Sequence, residues 1–177
     1  MHDPSRLLTD WNSIAGSPNS VGETNNCYAF ATNTQTGTSQ HRCPQPGRGS
    51  GEQCQQWQTD YANGPALLTE CVKRDGLLWN GQSMTCPTNM ELVALALFPT
   101  GTSGYYDYHW FRRDTGGWSQ EAGCGGPATN MDLYTSPATP ISDPPWATAT
   151  RAGYTVPVGY FCVCSSATEG AGHSVIL

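Results

Sequence analysis

The stretch from Tyr105 to Glu121 constrains the fold most strongly, because its sequence is typical of a β-hairpin. Aromatic residues fill its first half and suit a half-buried strand, and the residues at 114–117, DTGG, have the composition of a tight turn. Side chains alternate along a strand, which places His109 and Phe111 on the same face. A two-residue loop in this turn pairs Phe111 with Gln120 and brings Gln120 within reach of the His109 imidazole.

A second informative stretch, ETNNCYAFAT, predicts a short helix within residues 25–35, with Gly37 as its stop. The polar residues before Cys27 are suitable N-caps, and Cys27, Phe30 and Ala31 recur on one helical face. A cysteine in the first turn lies near free N–H groups and the positive end of the helix dipole, which favour a thiolate. We therefore expect a depressed pKa for the Cys27 thiol, unless Cys27 is bridged in a disulfide or is a buried apolar cysteine.

The distribution of periodicities predicts an α+β fold, because helical patterns lie in the first half of the chain and strand patterns in the second. The predicted helices span 25–35 and 64–74, and the predicted antiparallel strands lie near 92–98, 105–113, 118–122 and 154–164. Residues 79–86 and 123–150 are expected to form loops. One domain is expected over 1–177, with an irregular arm at 1–24, a core at 25–164 and a tail at 165–177.

The eight cysteines indicate an oxidising compartment, so we expect a secreted protein. The shortest loops would be closed by pairing Cys43 with Cys54 and Cys71 with Cys86. The cysteine spacing does not fit a zinc site, and neither a metal nor another cofactor is expected. A net charge of -6 without a basic run argues against nucleic acid as a partner, and no apolar segment is long enough to span a bilayer. We expect a monomer.

A helix-borne cysteine and a strand-borne histidine together provide what thiol acyl transfer requires. The imidazole takes the thiol proton, and a third polar group orients the ring. The motifs NCYAFA at 26–31 and YHWF at 108–111 resemble the nucleophile helix and the histidine strand of the papain-like thiol hydrolase superfamily, including the CHAP and NlpC/P60 amidases and peptidases. The resemblance implies a papain-like fold and a hydrolase that cleaves a peptide or amide bond, in a peptide or peptidoglycan-like substrate.

The same resemblance implies a role for each candidate residue. Cys27 would be the nucleophile, His109 the general base and then acid, and Gln120 the group that orients the imidazole. The Cys27 backbone N–H would form the oxyanion hole, together with Asn26 or its neighbour Asn25. Acidic residues are alternatives to Gln120 as the third member: Asp132 above all, then Asp143, if the 123–150 loop folds back, and Asp114 in the turn.

Two other functions remain open from the sequence. The chain would be a non-catalytic, disulfide-rich secreted binding or toxin module if Cys27 is bridged. It would be a transglutaminase- or deamidase-like acyltransferase if Asp132 is the acid of a Cys-His-Asp arrangement. The number of disulfides distinguishes the binding or toxin module from an enzyme. Four disulfides would include Cys27, whereas an unbridged Cys27 leaves at most three disulfides and a second free thiol.

Overall fold

The computed structural model describes residues 25–34, 43–48 and 54–164. Its helices are α1 (Cys27–Thr32), α2 (Gly64–Arg74) and α3 (Trp146–Arg151), with a 3₁₀ turn at Gln56–Gln58. Its strands are β1 (Leu78–Gly81), β2 (Met90–Pro99), β3 (Tyr105–Asp114), β4 (Gly117–Glu121), β5 (Ala128–Thr129), β6 (Met131–Asp132), β7 (Thr139–Pro140) and β8 (Val156–Cys164). The arm at 1–24 and the tail at 165–177 lie outside the described residues, and the single-domain organisation stays a prediction.

Six strands form one antiparallel sheet in the order β1-β8-β2-β3-β4-β5, and β6 and β7 form a separate pair. The α+β fold with a mainly antiparallel sheet is therefore confirmed. Strand β2 is central, and its residues 92–97 are all buried because protein covers both faces of the sheet.

The alternation of side chains along β3 divides the core into two layers. Trp110 points to the face covered by α1 and α2, where its ring lies 5.3 Å from that of Tyr28. Phe111 points to the opposite face, where it belongs to a second cluster with Trp118, Tyr160 and residues of α3. The sheet is thus the middle layer of the molecule, and its two faces carry different helices.

The observed elements match the strongest sequence patterns and depart from the weaker ones. Helix α2 and the strands β2, β3, β4 and β8 agree with the prediction. Helix α1 ends earlier than expected, at Thr32, because Asn33 adopts a left-handed backbone with φ 50° and terminates it. The expected loop at 123–150 instead contains three short strands and α3, and β1 lies where a loop was predicted from residue 79 onward. These elements are too short to produce a recognisable period.

Three disulfides stabilise the fold, and both predicted pairings are wrong. The observed bridges are Cys43–Cys124, Cys54–Cys71 and Cys86–Cys162. The prediction minimised loop length, whereas the tertiary fold brings together cysteines that are as many as 81 residues apart. All eight cysteines lie in the described residues, and Cys27 and Cys164 form no disulfide. This is the parity expected for an unbridged Cys27.

No helix in the described ranges has the length and apolar character needed to cross a membrane.

Candidate active site

Helix α1 places Cys27 in its first turn, as the sequence predicts. Asn26 caps the helix, because its side-chain oxygen accepts hydrogen bonds from the backbone N–H groups of Tyr28 and Ala29, each at 3.2 Å. The Asn26 amide nitrogen donates to the Pro44 carbonyl at 2.9 Å and lies 3.5 Å from the Tyr108 hydroxyl. Asn26 therefore positions α1, and both hydrogens of its amide are directed at Pro44 and Tyr108 rather than at an oxyanion hole.

Two further hydrogen bonds fix α1 against the rest of the fold. The Tyr28 hydroxyl donates to the Asp75 carboxylate at 2.8 Å, just beyond the end of α2. The Arg112 guanidinium on β3 donates to the Ala31 carbonyl at 2.9 Å. The position of Cys27 is thus set by contacts with two other elements as well as by its cap.

His109 and Gln120 form the hydrogen bond that the hairpin predicts. Phe111 is paired with Gln120 in the β3–β4 register, and Nε2 of His109 lies 2.9 Å from Oε1 of Gln120. The Gln120 amide nitrogen donates to the Met131 carbonyl at 3.1 Å, so its oxygen is the atom that faces the ring. His109 therefore carries its proton on Nε2, and Nδ1 keeps the lone pair that a general base needs.

Aromatic rings restrict the orientation of the His109 imidazole. Phe111 contacts it edge-on with ring centroids 4.9 Å apart, and the Tyr154 ring lies 5.1 Å away. The Tyr154 hydroxyl donates to the Asp107 carboxylate at 3.0 Å, which ties this aromatic neighbour to the same strand as His109. The imidazole is thus held by packing as well as by its hydrogen bond.

Cys27 and His109 line the same cavity, which has a volume of about 190 Å³. Asp107, Tyr108 and Tyr154 contribute to its walls, as does the disulfide between Cys43 and Cys124. The structure therefore brings together the candidate nucleophile and the candidate base, which are far apart in the chain.

The ionisation of this pair differs from the expectation. Burial raises the pKa of the Cys27 thiol far above its ordinary value; the negative charges of Glu121 and Asp107 raise it further, and nearby backbone N–H groups only partly offset these effects. Burial also lowers the pKa of His109 to about 4, although the hydrogen bond that its Nε2–H donates to Gln120 acts in the opposite direction. The predicted depressed thiol pKa is therefore wrong, because the helix-dipole argument did not include desolvation. The resting pair is a neutral thiol and a neutral imidazole.

The acidic alternatives to Gln120 have other partners. Asp132 is fully buried and accepts hydrogen bonds from the Thr148 hydroxyl and the Arg151 guanidinium. Asp143 pairs with Arg113 and with the Trp118 indole on the hairpin. The proposal of Asp132 as the third member is therefore wrong in this structure, although the adjacent Met131 carbonyl does anchor Gln120.

Three residues close to Cys27 and His109 were not identified from the sequence patterns. Asp107 lies two positions before His109 on β3, so strand alternation alone would have placed it on the same face. Tyr154 has no local signal, because only the tertiary fold brings it to the ring. Glu121 is fully buried, and neither of its carboxylate oxygens has a hydrogen-bond partner among the described residues. Burial raises its pKa to about 8.

Within the described part of the chain, no group of three or more His, Cys, Asp or Glu side chains is arranged to hold a metal ion.

Replacing Gln120 with alanine is expected to lower kcat for the activity proposed below by about 10²-fold, since the ring loses the acceptor that fixes its tautomer and orientation. Gln120→Glu keeps an acceptor oxygen and should recover part of the rate. Steady-state kinetics over a range of pH values around neutrality would measure both variants. An unchanged kcat in Gln120→Ala would remove the positioning role from this residue.

No family model matches the sequence, and no solved structure matches it. Among curated proteins, the chain is 36% identical over 140 residues to insoluble matrix shell protein 1 of Ruditapes philippinarum. The matched region covers 78% of this chain and 79% of that protein.

Proposed function

The chain belongs to the family of insoluble matrix shell protein 1, and from the geometry that it builds around Cys27 we propose that it is a secreted thiol hydrolase of peptide or amide bonds. One observation carries the proposal. A free cysteine at the start of a capped helix shares a cavity with a histidine whose Nε2 is bonded to Gln120. The order of these residues, on a helix packed against an antiparallel sheet, also supports a papain-like assignment.

The proposed reaction begins with a substrate carbonyl bound in the cavity. Nδ1 of His109 removes the thiol proton as the Cys27 sulfur attacks the carbonyl carbon, and Gln120 stabilises the orientation of the resulting imidazolium. The imidazolium then gives its proton to the leaving amine, and a thioester on Cys27 remains. In the second half, His109 removes a proton from water, the hydroxide attacks the thioester, and the thiol is reformed with release of the acid.

The neutral resting pair affects the timing of proton transfer. With the thiol pKa raised and the imidazole pKa lowered, burial favours the neutral pair over a thiolate–imidazolium pair. Proton transfer from Cys27 to His109 therefore accompanies attack on the bound carbonyl.

Two observations support an extracellular location. The three disulfides are typical of proteins that fold in an oxidising compartment. The related protein is named as a component of shell matrix. Both support secretion independently of the catalytic proposal.

A second candidate function is a non-catalytic, disulfide-stapled module of an extracellular matrix. The name of the relative favours it, and so does the buried, protonated state of Cys27, which is also typical of a structural cysteine. The transglutaminase-like alternative has no comparable support, since Asp132 is bound to Thr148 and Arg151.

The two candidates are separated by testing for an acyl-enzyme. The protein is incubated with a proteome-derived peptide library, the newly formed termini are sequenced by mass spectrometry, and acid-quenched samples are analysed for acylated peptides. A hydrolase should generate new termini and a thioester on the peptide that contains Cys27, and Cys27→Ala should abolish both. A folded protein with three intact disulfides that forms neither product would support the matrix module.

A further inference from the structure

Two cavities meet at His109. Besides the cavity of about 190 Å³ that contains Cys27, a second cavity of about 110 Å³ is lined by Gln120, Leu133 and Tyr134. His109, Gly123 and Tyr154 line both cavities. An extended substrate that crosses His109 would therefore enter a different environment on each side.

Among the described residues, one acidic side chain lines the cavity on the Cys27 side. Asp107 is the only Asp, Glu, Lys or Arg side chain among the described residues that line either cavity. One of its oxygens accepts from the Tyr108 backbone N–H at 2.8 Å and the other from the Tyr154 hydroxyl at 3.0 Å. These two bonds hold the carboxylate in place, and a carboxylate has lone pairs for about two further donors. Arg48, on a nearby loop, is exposed and lines neither cavity.

The second cavity has an apolar rim. Leu133 and Tyr134 contribute to its wall, and each side chain is more than half exposed, at 56% and 57%. The Tyr134 backbone N–H donates to the buried Asp132 carboxylate at 3.0 Å, so the turn that carries both side chains is anchored to the fold. Two large apolar side chains fixed beside a cavity provide a surface for an apolar side chain of a ligand.

We propose that this cleft selects peptides with an ammonium or guanidinium group on the Asp107 side of His109 and an apolar side chain on the Tyr134 side. The inference rests on the proposed hydrolase function, because it assigns the substrate class of the same site. It makes Asp107 a specificity-determining residue for cationic peptides.

A cation paired with Asp107 would also assist the chemistry. The Asp107 charge is one of the interactions that raise the pKa of the Cys27 thiol. A substrate ammonium group cancels this charge and so favours loss of the thiol proton. A cationic substrate should therefore increase kcat as well as lower KM, because part of its binding is expressed in the transition state.

The test uses paired fluorogenic peptides that differ only in lysine or Nε-acetyl-lysine next to the cleaved bond. The wild-type protein should cleave the lysine peptide with kcat/KM at least about 10-fold higher. In Asp107→Asn this ratio should fall close to one, and Asp107→Glu should restore part of it. Glu70→Gln, which removes an exposed carboxylate on α2 whose ion pair is with Lys73, is the matched control and should keep the ratio. Equal rates for the two peptides in the wild-type protein would overturn the inference.

Binding in the Cys27→Ala background distinguishes failure of this inference from failure of the hydrolase proposal. Titration calorimetry with the same peptides should give a Kd about 10-fold lower for the lysine peptide, and Asp107→Asn should remove the difference. If this preference is present although no peptide is cleaved by the unmodified protein, the cationic site stands and the hydrolase proposal fails. If the two peptides have equal Kd values, the cationic site is wrong whether or not cleavage occurs.

Discussion

Replacing Cys27 with alanine is expected to reduce kcat/KM for peptide cleavage by at least about 10³-fold, because the thioester route then has no nucleophile. His109→Ala should cause a similar loss, since the neutral thiol depends on the imidazole to remove its proton. The two losses should not add in the double variant, because the pair acts as a unit. The kcat/KM values of the two single variants and the double variant would be measured with the library peptide that the wild-type protein cleaves fastest.

The other cysteine outside the disulfides, Cys164, provides the matched control for this experiment. Cys164 lies at the end of β8, is partly buried and does not line the Cys27 cavity. Cys164→Ser should keep kcat/KM within about two-fold of the wild-type value, the small change that is usual for a substitution away from the site. Cleavage that survives in Cys27→Ala but disappears in Cys164→Ser would refute the assignment of the nucleophile.

Replacing Glu121 with glutamine is expected to change the dependence of stability on pH. Burial raises the folded-state pKa of Glu121 from 4.5 to about 8, so the folded protein holds a proton that the unfolded chain releases between these values. The stability contributed by the protonated carboxyl is complete below pH 4.5 and is lost as pH rises through 8. At pH 8 the Glu121→Gln variant should be more stable than wild type by at most about 5 kcal/mol, and below pH 4.5 the difference should be small.

The pKa shift of His109 changes the stability with pH in the opposite direction to that of Glu121, so the two effects must be separated. Its folded-state pKa is about 4 against 6.5 in the unfolded chain, so its contribution to stability is present above pH 6.5 and is lost as pH falls toward 4. This contribution is common to both proteins and cancels in their difference. Urea unfolding at several pH values would measure this difference in unfolding free energy, with Glu70→Gln as the control. If the unfolding free energies of wild type and Glu121→Gln change in parallel with pH, the Glu121 carboxyl is not buried without a partner among the described residues.

The hairpin and the helix cap could be predicted because their signals are local. Turn composition fixes the β3–β4 register, and the register places Gln120 beside His109. The polar residues before Cys27 indicate where α1 begins, and Asn26 does cap it. In each case a few neighbouring residues decide the geometry, so a single sequence contains enough information.

The remaining features depend on contacts between distant segments. The Cys43–Cys124 bridge joins residues whose proximity only the folded sheet establishes, and Tyr154 reaches His109 in the same way. The thiol pKa was predicted with the wrong sign because a helix position can be read from sequence, whereas complete burial of that position cannot. Asp107 differs from these features, because the alternation of side chains along β3 is enough to place it on the same face as His109.

Oxidants attack the thiolate form of cysteine much faster than the thiol. Because Cys27 keeps its proton in the resting protein, it is a poor target for peroxide or for disulfide exchange, even in surroundings that oxidise six other cysteines of the chain. The burial that raises the pKa of the Cys27 thiol thus also protects this thiol in an oxidising compartment. The proposed hydrolase would therefore not depend on a reducing agent to keep its nucleophile as a thiol.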